Sequence, residues 1–376
     1  MSGTVPATGV VITESDRRAV TECLEGGWLT MGPRTRRFEA ALSEWTGTPH
    51  AVAVSSGTAA LHLACRALEL GPGDEVIVPA LTFLATANAP RYTGANAVLC
   101  DVESPERPTL DPAAVERAIT LRTRAVIPVH FCGYAARTEP LRELCDAHGI
   151  ALLEDAAQSI GATDELGRQT GTVGAMGCLS FFSKNQLCVG EGGAVLTADD
   201  DYAARVRSLR SHAMTSGTWD RHRGHEDSYD IVDFGYNFRL DEPRAALGMS
   251  RLPRLRDDIE RRRATVRRYR ELLAGAPGVT LMWSDAEVER STHFAFAVLF
   301  AEGGARRRAQ AALSERGIQT TRYPVLHSLT EFAPLAPQGT LPNAEAAADR
   351  HLALPLSSSQ SDADTELVAA AVLAAA

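Results

Sequence analysis

The stretch LSFFSKNQLCVGEGGAVLT (179–197) holds two short apolar runs, Leu179–Phe182 and Gly193–Thr197, joined by a turn and a glycine-rich return. Each run has strand length, and the segment between them carries turn chemistry. Similar runs occur upstream at Ala51–Val54, Glu75–Val78, Ala97–Val102, Ala125–Val129 and Ala151–Glu154. Helix-period segments separate several of them, at Thr58–Leu70, Asp111–Ile119 and Arg137–His148. Near-continuous apolar strands alternating with amphipathic helices predict an α/β domain built on a mostly parallel sheet. Beyond a polar loop at 211–230, a helical stretch is expected from Leu240 into Leu273, with its Arg-rich part, Arg254–Arg270, forming a solvated face. A smaller α/β unit follows the GAPGV break at 275–279. It has strands at Phe294–Phe300 and Gln319–Arg322 and a helix at Ala305–Arg316. The expected division is a large domain, residues 1–250, and a small one, 251–376.

The 376 residues carry a net charge of −9 and only one lysine among 38 basic Lys and Arg residues, Lys184. The acidic balance argues against a nucleic-acid binder. Seven scattered cysteines without a CxxC pair suit neither a disulfide framework nor a zinc site, so a reducing cytoplasm is expected and no metal. No signal peptide is evident, and the apolar tail Leu367–Ala376 is too short to span a bilayer. GxGxxG fails at Val195, and GxxxxGK[ST], HExxH and GxSxG are absent.

Arginine replaces lysine at most ion pairs, but it cannot lose a proton and attack a carbonyl. A lone lysine is therefore either a chance survivor or a Schiff-base nucleophile. Its neighbours bear on the choice. Ser55-Ser56-Gly57-Thr58 stands between a strand and a helix, where backbone amides and the helix end favour an anion, although the same residues serve as a plain N-cap. Asp155 ends a buried strand, where it either holds a ring nitrogen protonated or caps a helix. An anion cradle, a strand-end carboxylate and a unique amine are what pyridoxal phosphate requires.

The segments SSGTAALHLA (55–64), DEVIVPALTFLATANA (74–89), EDAAQSIGA (154–162), GEGGAVLT (190–197), GYNFRLDEPRAALG (235–248) and GIQTTRYPVLH (317–327) are similar to those of the DegT/DnrJ/StrS sugar aminotransferases. The resemblance runs over nearly the whole chain. It implies the PLP-dependent transferase fold type I, with a mixed sheet flanked by helices and a smaller C-terminal α/β domain. It also implies pyridoxal 5'-phosphate, with the pyridoxamine form as intermediate. Lys184 would be the Schiff-base lysine and proton shuttle, Asp155 the partner of the pyridine nitrogen and Gln158 that of the ring hydroxyl. Gly57, Thr58 and Ser180 would hold the phosphate, and Phe83 would stack on the ring unless it packs in the core. Asn237 would reach the phosphate of a neighbouring subunit in a homodimer. Ser180 precedes Lys184 by four residues where the family has five, so either the turn is shorter or Ser183 contributes.

Thr30, His130, Tyr323 and His327 fall in or near family segments around the cofactor or substrate, where each is either a substrate contact or a structural residue. Arg221 and Arg223, in a loop with His222 and His225, either grip a substrate diphosphate or stand in a solvated loop. The implied reaction aminates a keto-sugar, nucleotide-linked, or a related cyclic ketone. The donor would be glutamate or glutamine, and the setting secondary metabolism (antibiotic sugars) or surface-glycan synthesis. The alternatives are a sugar dehydratase, in which the family places His at the lysine position, and a non-catalytic regulator on the same scaffold.

Overall fold

The structure is a computed structural model that describes residues 4–216, 228–336 and 339–376. Seven strands, β1 (His50–Val54), β2 (Glu75–Pro79), β3 (Asn96–Cys100), β4 (Thr123–Val126), β5 (Ala151–Asp155), β6 (Met176–Ser180) and β7 (Gly193–Thr197), form one sheet in the order β1-β7-β6-β5-β4-β2-β3. Neighbours from β6 to β3 pair in parallel, and β7 runs against both β1 and β6. The sheet is thus the mixed, mostly parallel one expected. Val76, Ile77, Val78, Ala194, Val195 and Leu196 are fully buried, as a sheet covered on both faces demands. A second sheet, β8 (Val279–Leu281), β9 (Phe296–Phe300) and β10 (His351–Leu354), is antiparallel in the order β10-β9-β8.

Four sequence expectations need correction. The strand read at Leu179–Phe182 begins earlier, at Met176, and ends at Ser180. Glycine at 177 hid it, and it is glycine because a Cβ there would lie 2.1 Å from the Gly171 carbonyl oxygen. The continuous helix from Leu240 to Leu273 is two helices, Glu242–Arg251 and Leu255–Leu273, with a 3₁₀ turn at Leu252–Arg254 between them. Pro253 lacks the N–H that a continuing helix needs. The Arg-rich face is not wholly solvated, since Arg262 is buried and donates to the His293 carbonyl (3.2 Å). Gln319–Arg322 is not a strand. It contributes one bridge, Thr321 to Ala353, before Pro324 ends the extended run.

The parallel strands place their C-terminal ends on one edge. β1 leads into Ser55-Ser56, β2 towards Phe83, β5 ends at Asp155 and β6 at Ser180. Open α/β sheets bind ligands at such an edge.

Candidate active site

At this edge lies a cavity of about 410 Å³, lined by Gly57, Thr58, Asp155, Gln158, Ser180 and Lys184, together with Ser56, Phe83, Phe182 and Tyr323. The helix Gly57–Ala67 opens on it. Its N-cap Ser56 accepts from the Ala59 amide, which leaves the first two amides of the helix, Gly57 and Thr58, without an intrahelical acceptor. A Cβ on Gly57 would come within 2.7 Å of the Ser180 Cβ, so glycine is required for the helix end to meet β6. Free amides, a hydroxyl and the positive end of an 11-residue helix make an anion cradle.

Ser180 lines this cradle, whereas Ser183 turns away and donates to the Gly190 carbonyl (3.2 Å). Of the two hydroxyls, Ser180 is the one beside Gly57. The Asn185 amide donates to the Phe182 carbonyl (2.8 Å), with Lys184 inside the turn it closes. Two side chains fix that turn. The Asn185 Nδ2 donates to the Ala157 and Ser180 carbonyls (2.8 and 2.7 Å). The Gln186 Nε2 donates to the Gln158 carbonyl (2.8 Å) and to the Thr292 Oγ1 (3.0 Å). Lys184 is exposed to the cavity.

Asp155 is 5% exposed. Its Oδ2 accepts from the Thr86 hydroxyl (2.7 Å), which also contacts the Thr82 hydroxyl (2.9 Å), and its Oδ1 accepts from the Ala157 amide (3.1 Å). Burial pushes its pKa above the ordinary carboxylate value despite those two hydrogen bonds and the nearby His130. Among the described residues no Lys or Arg pairs with it. The Gln158 Oε1 accepts from the Cys132 amide (2.8 Å), so its Nε2 is the donor left for a ligand. Phe83, 56% exposed, and Phe182, 42% exposed, stand at the cavity rather than in the core.

Other expected site residues lie elsewhere. His130 is fully buried. Its Nε2 meets the Glu154 Oε2 (2.9 Å) and its Nδ1 accepts from the Ala136 amide (3.1 Å), so both ring nitrogens are committed and it does not line the cavity. His327 pairs with Glu345 (3.2 Å) away from it, and Thr30 does not line the cavity of its own chain. Asn237 is exposed and likewise not among its own cavity's lining. Arg221, Arg223, His222 and His225 fall outside the described residues. No group of three metal-ligating side chains occurs among the described residues. Thr86, Asn185, Gln186 and Glu191 were not singled out from the sequence. Thr86 carried a usable signal, its four-residue step from Thr82 at a helix start, whereas the others depend on tertiary packing.

Glu154, next to Asp155, behaves oppositely. It is fully buried, yet its Oε1 accepts from the Val173 and Gly174 amides (2.6 and 2.8 Å) and its Oε2 from the Gly171 amide (2.9 Å), besides His130. Burial opposes the charge, but His130 and these amides hold the pKa below its ordinary value. Its contribution to stability is therefore present above the unfolded carboxylate pKa and is lost as pH falls through the folded one. Glu154→Gln is expected to cost about 3 kcal/mol near neutrality, because it breaks a buried, fully bonded charge. The loss should shrink at acid pH. Thermal melts across pH check this, and a variant as stable as the parent at pH 7 would remove Glu154 from the fold's supports.

An amine, a buried carboxylate and an anion cradle on the C-terminal edge of a mixed α/β sheet define a pyridoxal-phosphate-dependent transferase. The residues fit that cofactor: a cradle kept open by Gly57, a buried anion lacking a basic partner, and one lysine. The chain belongs to the DegT/DnrJ/EryC1/StrS aminotransferase family, whose model matches residues 10–373. It is 41% identical over 343 residues to a dTDP-3-amino-3,4,6-trideoxy-alpha-D-glucose transaminase of Streptomyces venezuelae, covering 90% of this chain and 86% of that protein. The solved structure of S. venezuelae DesV in complex with a ketimine intermediate superposes with a TM-score of 0.90 at 36% identity, covering 99% of this chain and 98% of that one. The PLP form of the putative sugar aminotransferase Spr1654 from Streptococcus pneumoniae gives 0.91 at 28% identity, covering 99% and 98%. The chain is an aminotransferase, and its cofactor is pyridoxal phosphate.

Proposed function

We propose that this aminotransferase moves an amino group from glutamate or glutamine to the ketone of a nucleotide-linked deoxysugar. The observation that carries the reading is that the chain's only lysine shares one cavity with Asp155 and the Gly57 helix end. When bound, pyridoxal phosphate supplies a carbonyl that exchanges for an amine and a ring that accepts electrons. Gly57, Thr58 and Ser180 hold the phosphate. Asp155 keeps a proton on the ring nitrogen, because a buried carboxylate gains most from an adjacent cation. The Gln158 Nε2 would be the donor for the ring hydroxyl, and Phe83 would cover a ring face. The Lys184 amine is the one group of the cavity that could both hold the cofactor covalently and, when free, carry a proton to and from the reacting carbon of the donor or of the ketone.

The same reading makes the enzyme a homodimer. Ile231, Val232 and Phe234 are 58%, 63% and 75% exposed, a run of apolar surface that calls for a cover. Asn237, three residues on and exposed, then reaches the partner's phosphate cradle. No helix among the described residues is long and apolar enough to cross a membrane, which accords with a cytoplasmic setting. The likeness to a trideoxyglucose transaminase favours amino-sugar synthesis for secondary metabolism. A dehydratase is disfavoured by lysine at position 184, and a regulator by the intact cradle and Asp155. Glutamate-dependent turnover across nucleotide-linked keto-sugars and cyclitol ketones is the test. Amination of a nucleotide-linked 3-keto-deoxysugar is expected. Turnover of cyclitol ketones alone would replace the substrate, and a holoenzyme converted by no amino donor would overturn the reading.

A further inference from the structure

The Asp155 carboxylate receives two donors among the described residues, the Ala157 amide and the Thr86 hydroxyl. The first is backbone and comes with the end of β5. The second is a side chain from another part of the chain, and a substitution can remove it. Thr86 is fully buried on the helix Leu84–Arg91, and Thr82, four residues earlier, is buried as well. A helical threonine ordinarily returns its hydroxyl to a carbonyl three or four residues back. Here the Thr86 hydroxyl leaves its own helix for β5 (2.7 Å), and the Thr82 hydroxyl stands 2.9 Å behind it. An ionised carboxylate only accepts, and a hydroxyl has one hydrogen. Thr86 therefore gives its hydrogen to Asp155, Thr82 donates to Thr86, and the two hydroxyls form a chain directed at the carboxylate. The helix does not need that chain for its start, because the Thr86 amide already donates to the Phe83 carbonyl (3.2 Å). The other titratable groups nearby leave Asp155 to it. Glu154 is bonded to the Gly171, Val173 and Gly174 amides, and the His130 ring to Glu154 and the Ala136 amide. The Cys178 thiol is kept protonated by burial, with the charge of Asp155 adding to that, and Lys184 shares the cavity.

We propose that Thr86, oriented by Thr82, is a positioning residue that keeps Asp155 the weaker base of the pair it makes with the cofactor's ring nitrogen, so that the shared proton stays on the ring. The inference rests on the assignment of Asp155 to that nitrogen and deepens it. Desolvation by itself favours the neutral acid. A buried carboxylate with too few donors would take the proton, and the ring would be left a poorer acceptor of electrons. Each hydrogen bond to the charged form pulls the other way, and a bond to an ion is stronger than one to a neutral group. Glu154, one position earlier, shows the range. With three amides and His130 it is held below its ordinary pKa, whereas Asp155, with two donors, stays above its own. Loss of the Thr86 donor would move Asp155 further in the direction that burial already takes it.

The test reads the ring proton directly. Holoenzyme reconstituted with pyridoxal phosphate isotopically labelled at the ring nitrogen reports, through its NMR shift, whether that nitrogen is protonated. The parent should give the protonated signal. Thr86→Val keeps the shape of the side chain and removes the donor. It should move the signal towards the unprotonated one and lower kcat by about 10- to 100-fold, the scale of a hydrogen bond to a charged group, with the KM for the keto-sugar unchanged. Thr86→Ser should restore both, and Thr82→Val should shift both in the same direction by less. In the apoenzyme, Thr86→Val should raise the folded pKa of Asp155. Stability should then fall with pH over a wider window above the unfolded carboxylate value than in the parent, which melting curves across pH follow. A parent-like ring signal in Thr86→Val, while Asp155→Asn moves it, overturns the proposal. A signal that Asp155→Asn also leaves in place would instead remove Asp155 from the ring nitrogen, so the two failures are distinguishable.

Discussion

Lys184→Arg is expected to fold, to bind pyridoxal phosphate non-covalently and to lose transamination by at least about 10⁴-fold, since both nucleophile and proton carrier go. The change keeps the positive charge, and Lys184 is exposed in a turn held by Asn185 and Gln186, so the fold has no reason to fail. A guanidinium cannot give up its proton near neutrality, and therefore neither attacks a carbonyl nor abstracts an α-proton. The unique lysine makes the covalent claim unusually clean. Borohydride reduction of the wild-type holoenzyme should fix cofactor mass on one tryptic peptide, Gln169–Arg205, because the only other amine of the chain is the N-terminus. Label found on the N-terminal amine alone, or turnover retained by Lys184→Arg, would refute the assignment. A melting curve matching the parent's separates lost chemistry from lost structure.

The alternation that predicts the large sheet is written in strands such as EVIVP and HAVAV, whose burial on both faces leaves little choice of residue. The C-terminal strand expected at 319–322 was misread because short β-rich stretches before a proline look alike whether or not a neighbour pairs with them. The residues proposed to bear the chemistry, Lys184 and Asp155, were legible because composition or strand-end position singles them out. Residues that hold them in place were not. Thr86 lies 69 positions from Asp155 and Gln186 lies 106 from Thr292, and nothing local in the sequence announces those meetings. His130 shows the converse: it sits in a functional-looking segment, yet the tertiary fold commits it to Glu154. Which of Ser180 and Ser183 faces Gly57 was likewise beyond the sequence, because it depends on how the turn after β6 folds.

Asp155→Asn separates catalysis from stability in the opposite sense to most active-site changes. In the cofactor-free protein the Asp155 pKa is raised by burial, so between the unfolded and the folded pKa the native state keeps a proton that the unfolded chain has lost. By linkage, the ionised carboxylate costs stability once the pH rises through its folded pKa. Asparagine carries no charge to desolvate. Its carbonyl can accept from the Ala157 amide, while its Nδ2 donates to the Thr86 hydroxyl and that hydroxyl in turn donates to Thr82. The variant apoenzyme should therefore melt at or above the parent's temperature at neutral and alkaline pH, with the difference fading in acid. The loaded enzyme should behave differently. In the proposed role, Asp155 would give a protonated ring nitrogen a buried opposite charge, and the variant would lack it. Turnover is expected to fall roughly 10³-fold, the scale for removing a preorganised charge at the reacting group. The cofactor should also raise the melting temperature less in the variant than in the parent, because binding energy no longer includes the ion pair. Scanning calorimetry of both forms across pH, alongside steady-state rates, checks each part. An apo variant much less stable than the parent, or a loaded one with near-normal turnover, would mean that Asp155 caps and supports the end of β5 rather than tuning the ring.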